Sequence, residues 1–145
     1  MILEPRATDL DLVEVENALL RAAVGDYSAE AAVLLLANAG HWLPQLRGAG
    51  LICLLGDVDG EGLWAQVAWP DLEAALRAGT ISGTGSQLRL LRAAASLADG
   101  QPVDLGDLAA GLDRDGLALV LAAVAHAGGS HGDDLPPLAA WPAPD

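Results

Sequence analysis

The side chains of this 145-residue sequence best suited to metal ligation or proton transfer are three histidines, one cysteine and twenty carboxylates. His126 and His131 stand five positions apart with Asp133 and Asp134 following, and imidazole with carboxylate is a ligand set for a transition metal. The spacer Gly128-Gly129-Ser130 does not pre-orient them, so both histidines are expected to be loose and solvent-exposed. Asp57-Val58-Asp59-Gly60-Glu61 has the alternating carboxylates and glycine of a calcium loop. It lacks a third ligand position before its glycine, and Gln66 stands where the closing bidentate Glu belongs. His41, beside Trp42, has no Ser or Cys nucleophile around it. Cys53 lies among Leu51, Ile52, Leu54 and Leu55 and reads as a buried, inert thiol. Ser82-Gly83-Thr84-Gly85-Ser86 precedes a helix and offers backbone donors to an anion, but helix capping alone explains these residues. No catalytic, cofactor-binding or metal residue is assigned, and an enzymatic site would have to be assembled from scattered groups such as His41, Asp57, Asp59 and His126.

Charge narrows the partners. The net charge is −13, so the molecular field repels phosphate backbones and anionic lipid; neither direct nucleic-acid contact nor membrane association is expected. The apolar runs Ala31 to Ala37 and Leu117 to Ala125 fall short of the roughly 20 residues that span a bilayer. Met1-Ile2-Leu3 runs straight into Glu4, Pro5 and Arg6, which is not a signal-peptide pattern. A single cysteine permits no intrachain disulfide, which suits a reducing cytoplasm. All seven basic residues are Arg, and with the Ala, Gly, Asp and Leu load this reads as the coding bias of a GC-rich, actinobacterial-like genome.

The elements that must position these groups are mostly helical. Thr8-Asp9-Leu10-Asp11 offers an N-cap hydroxyl and first-turn carboxylates for a helix whose apolar positions Leu12, Val15, Leu19, Ala22 and Ala23 recur at helical spacing until Gly25. Ser28 is the expected cap of a second helix, apolar around its whole circumference through Ala31 to Ala37 and therefore central. A short helical turn covers His41 to Arg47. Leu51 to Leu55 and Leu63 to Trp69 flank a Gly- and Asp-rich reversal and predict a β-hairpin near 51–69, with Leu63, Ala65, Val67 and Trp69 on one face. Pro70 opens a helix ending at Gly79. Thr84 with Gln87 forms a capping box for a helix to about Ala98, Asp104 caps a short helix to Ala110, and Asp113 caps one from Arg114 to Ala127. The Gly-rich stretch Gly79 to Gly85 is the candidate hinge between two subregions.

In the second half, a helix, a break at Pro102, a short helix and a longer one have the order of a tri-helical helix-turn-helix unit. Val103-Asp104-Leu105-Gly106-Asp107-Leu108-Ala109-Ala110-Gly111-Leu112 resembles the second helix and turn of bacterial winged-helix regulators. That resemblance implies DNA contact by the following helix, yet its start reads Asp113-Arg114-Asp115-Gly116, acidic where a reading helix is basic or polar. In the first half, two helices, a helical turn and a hairpin are the parts of a second winged-helix arrangement.

The expected fold is mainly α within α+β: a compact bundle of about six helices with one small hairpin, possessing degenerate tri-helical elements at most. Residues 1–128 are expected to form a single domain, and residues 129–145 a flexible, acidic, Gly/Pro-rich tail. For function, the absence of a catalytic constellation and the apolar content predict a non-enzymatic protein-interaction or adaptor module in the cytoplasm, without cofactors. Its expected partner is another protein or a second copy, since two helices apolar all round need cover. The alternatives are a degenerate winged-helix regulator or DNA mimic, and an enzyme without a recognisable motif.

Overall fold

The computed structural model describes residues 6–57, 62–132 and 134–143. Among these it is mainly helical, with seven α-helices, one two-stranded antiparallel hairpin and three single 3-10 turns. The chain folds as two compact units, one from the stretches up to Val24 and from Leu43 to Ser82, the other from Gly25–Trp42 and from Gly83 onward. The boundary at Ser82 falls inside the Gly-rich stretch expected to be a hinge. The two earlier crossings carry no glycine run that would have announced them.

In the first unit, α1 (Leu12–Ala23) buries Val15, Ala18, Leu19 and Ala23 along one stripe and packs on the hairpin strand β2 (Leu63–Val67). Its cap is Asp11 in a capping box with Glu14; Thr8 instead sits in a 3-10 turn just before it. Strand β1 (Ile52–Asp57) pairs antiparallel with β2, Ile52 opposite Val67 and Leu54 opposite Ala65. The register slips between Leu54 and Gly56, which makes Leu55 the extra, half-exposed residue of a bulge. The hairpin turn, with Asp59 and Glu61 of the calcium-like segment, lies outside the described residues.

Two arginines hold this unit's backbone. Arg21 Nη1 donates to the Leu63 carbonyl at 2.8 Å, and Arg47 Nη1 to the Leu10 carbonyl at 3.1 Å. Arg47 belongs to α3 (Trp42–Gly48), and a Pro70-containing 3-10 turn leads into α4 (Leu72–Ala78). Cys53 corrects an expectation: it is exposed. Strand side chains alternate faces, so with Ile52 buried its neighbour must point outward beside its exposed cross-strand partner Gln66. An apolar run does not bury every residue in it.

The second unit is a helical core around α2 (Tyr27–Ala39), which packs against both α5 (Gly85–Asp99) and α7 (Arg114–Ala127). Ala31, Ala32, Leu35 and Leu36 have no exposed surface. The helix expected to be central is central, and its cover comes from within the chain. Asp26, two residues before Ser28, is the cap, its carboxylate accepting from the Ala29 amide. Because α2 belongs with α5 and α7, the first half does not assemble the winged-helix parts that chain order suggested. Trp42 is fully buried and its indole Nε1 donates to the Gln87 carbonyl at 2.8 Å.

The three caps expected in the second half all form. Thr84 and Gln87 close a reciprocal box on α5, Asp104 caps α6 (Leu105–Gly111), and Asp113 caps α7. Arg89 on α5 grips Asp107 on α6 with a two-pronged ion pair, Nε to Oδ2 at 3.1 Å and Nη2 to Oδ1 at 3.0 Å. The Arg89 side chain passes directly over Gly111, where a Cβ would overlap its guanidinium. Among the described residues no helix is long and apolar enough to cross a membrane.

Candidate functional site

Chain reversal between α2 and α7 sets the first turn of one beside the last turn of the other. Glu30 and His126 therefore meet although ninety-six residues separate them: His126 Nε2 donates to Glu30 Oε1 at 2.6 Å. The Glu30 carboxylate sits in the first turn of α2, the helix end that favours negative charge, and His126 sits in the last turn of α7. His126 is buried, at 8 % exposure, which corrects the expectation of a loose histidine; its place in the last turn of α7, packed against α2, fixes it.

The chain then turns back over this pair. After α7, a 3-10 turn, Ser130–Gly132, stacks His131 flat on His126, with ring centroids 3.7 Å apart and planes within 2°. Tyr27, the first residue of α2, meets His131 edge-on at 4.8 Å. The turn that carries His131 passes through Gly129 at φ +82°, a left-handed backbone conformation that favours glycine. Trp141 comes edge-on to His126 at 6.2 Å between centroids. One ligand atom from each of Glu30, His126 and His131 lies within 4.8 Å of the others. Beside His131 in sequence, Ser130 Oγ is buried with no hydrogen-bond partner among the described residues.

The remaining candidates stay apart. His41 lies just beyond the C-terminus of α2, edge-on to Trp42 at 4.7 Å. Nine residues of helical rise, about 14 Å, separate Glu30 from Ala39, the last residue of α2, so His41 and His126 occupy opposite ends of α2. Asp57 ends β1 in the other unit; Asp59 and Asp133 lie outside the described residues. A cleft of about 450 Å³ in the first unit is lined by Arg6, Arg47 and a run of small residues, without a carboxylate or imidazole.

A second feature is the outer face of α7. Leu121 and Val124 are 52 % and 55 % exposed, and Leu117 continues the same stripe one turn earlier. From Gly116 to the end of the helix the sole ionisable side chain is His126, which points inward.

The chain matches no protein-family model, no curated protein and no solved structure. Sequence reasoning had named His126 and His131 but missed Glu30 and Tyr27, because nothing local ties the first turn of α2 to the last turn of α7. The available signal was a single carboxylate, Glu30, just before the apolar run Ala31 to Ala37.

Proposed function

We propose that the chain is a non-enzymatic interaction module that pairs with a second copy of itself through the outer face of α7. The supporting observation is the charge-free stripe of Leu117, Leu121 and Val124 on a protein of net charge −13. Exposed apolar surface is stabilised by cover, and charge selects the cover. A basic partner is drawn to the acidic surface elsewhere and gains nothing from an uncharged stripe. A second copy brings the same uncharged stripe, so no like charges meet within the contact itself, and, antiparallel about a two-fold axis, it sets the positive end of each helix dipole beside the negative end of the other. Ala118 and Ala125 beside the large side chains favour close helix approach.

Leu121→Glu tests this reading, because it places two carboxylates across the axis at the middle of the contact. Light scattering at micromolar concentration should give twice the 14.7 kDa chain mass for the natural protein and 14.7 kDa for the variant, with identical helical circular dichroism. Equal masses for the two proteins would remove α7 as the contact.

A further inference from the structure

We infer that Glu30, His126 and His131 form a binding site for a divalent transition cation of the zinc class. Two imidazoles and one carboxylate are the borderline-soft ligand set that suits zinc, cobalt and nickel and disfavours magnesium and calcium. Two of the three ligands are fixed. Glu30 and His126 stand on α2 and α7, which pack together along the core of their unit, and their ligand atoms already touch at 2.6 Å. Ligand atoms at about 2.0–2.1 Å from a tetrahedral ion are roughly 3.3 Å apart. The pair must therefore open by about 0.7 Å, which side-chain rotation of the half-buried Glu30 supplies, and the Nε2 proton that His126 donates to Glu30 is lost to solvent while Nδ1 carries the remaining ring N–H.

The third ligand is adjustable. A metal bound to imidazole lies in the ring plane, and two parallel rings 3.7 Å apart cannot share one ion. His131 must turn out of its stack to bind, and it is placed to do so: it is exposed and sits on a single 3-10 turn outside the packed helices. Cation binding thus breaks the His126–His131 stack and the Tyr27–His131 edge contact together. Three protein ligands leave at least one coordination position for water, and Ser130, the sequence neighbour of His131, has a buried Oγ with no hydrogen-bond partner among the described residues.

The chain contains three histidines, and His41 lies outside the cluster at the far end of α2, so it serves as an internal control. Zinc chloride titrated into the natural protein, followed by the imidazole ring-proton resonances, should saturate at one equivalent. The His126 and His131 signals should shift while the His41 signal stays in place. His131→Ala removes an exposed ligand without touching the helical core and should weaken binding at least about 10-fold; Glu30→Gln, which keeps an acceptor for the imidazole, should do the same. Resonances that do not move, or a His41 signal that moves in step with the other two, would overturn the site. Equal affinity in the natural protein and His131→Ala would overturn it as well.

Discussion

Leu35 and Leu121 are the same side chain on helices that pack together, one with no exposed surface and the other 52 % exposed. Truncating each to alanine measures what covers them. Leu35 sits on α2, packed against α5 and α7, neither of which can collapse easily into the space left behind. Leu35→Ala should therefore fall in the upper part of the Leu→Ala range, about 3–5 kcal/mol of lost stability. In the isolated chain Leu121→Ala removes contacts from one side only and should cost below about 1 kcal/mol. With a urea slope of about 2 kcal/mol/M, the first substitution moves the unfolding midpoint by about 2 M and the second by less than about 0.5 M. The assay is urea unfolding at a low and a high protein concentration. At high concentration the Leu121→Ala loss should grow, because the contact it weakens is then formed in the natural protein. A loss under about 1 kcal/mol for Leu35→Ala would refute the central position of α2. A Leu121→Ala loss independent of concentration would refute an intermolecular role for that face.

Three further outcomes are expected. Cys53, on the open face of β1, should react in the native protein with a thiol reagent at a rate within a few-fold of the unfolded chain, whereas a rate many orders slower would return it to the interior. Gly111→Ala should drive the Arg89 guanidinium off its path and break its two-pronged grip on Asp107; an unchanged side-chain NMR signal for Arg89 Nε would mean the guanidinium passes elsewhere. The hydrogen bond from Arg89 holds the Asp107 carboxyl below the ordinary value of about 3.9. An acid depressed in the folded state stabilises the fold above its unfolded pKa, and that contribution is lost as pH falls below about 3.9 through the folded value. Carboxyl NMR should place the Asp107 midpoint below the ordinary value in the natural protein and close to it in Arg89→Gln; the same midpoint in both would sever the link.

What could be read from the sequence is what local chemistry decides. Thr84 with Gln87, Asp104 and Asp113 each cap within three or four residues of themselves, so three helix starts in the second half were legible. Asp11 and Asp26 displaced Thr8 and Ser28 as caps because several polar residues compete at each of those starts, and the choice rests on backbone geometry. Cys53 was misjudged because an apolar run hides the two-residue alternation that decides which face is covered. The central position of α2 followed from its composition, but its partners did not. Glu30 and Tyr27 joined the histidines only through the antiparallel packing of α2 on α7, a long-range outcome without a local signal. His126 and His131 were visible as residue types; that they stack, one buried and one exposed, was not.

Pairing of two copies through α7 is tested most directly by sedimentation equilibrium of the natural protein from nanomolar to high micromolar concentration. A single monomer–dimer equilibrium should describe all loadings, with a mass rising from 14.7 kDa toward twice that value and no further. A mass that stays at 14.7 kDa throughout, or climbs without limit as an open-ended association does, would contradict a closed two-fold contact.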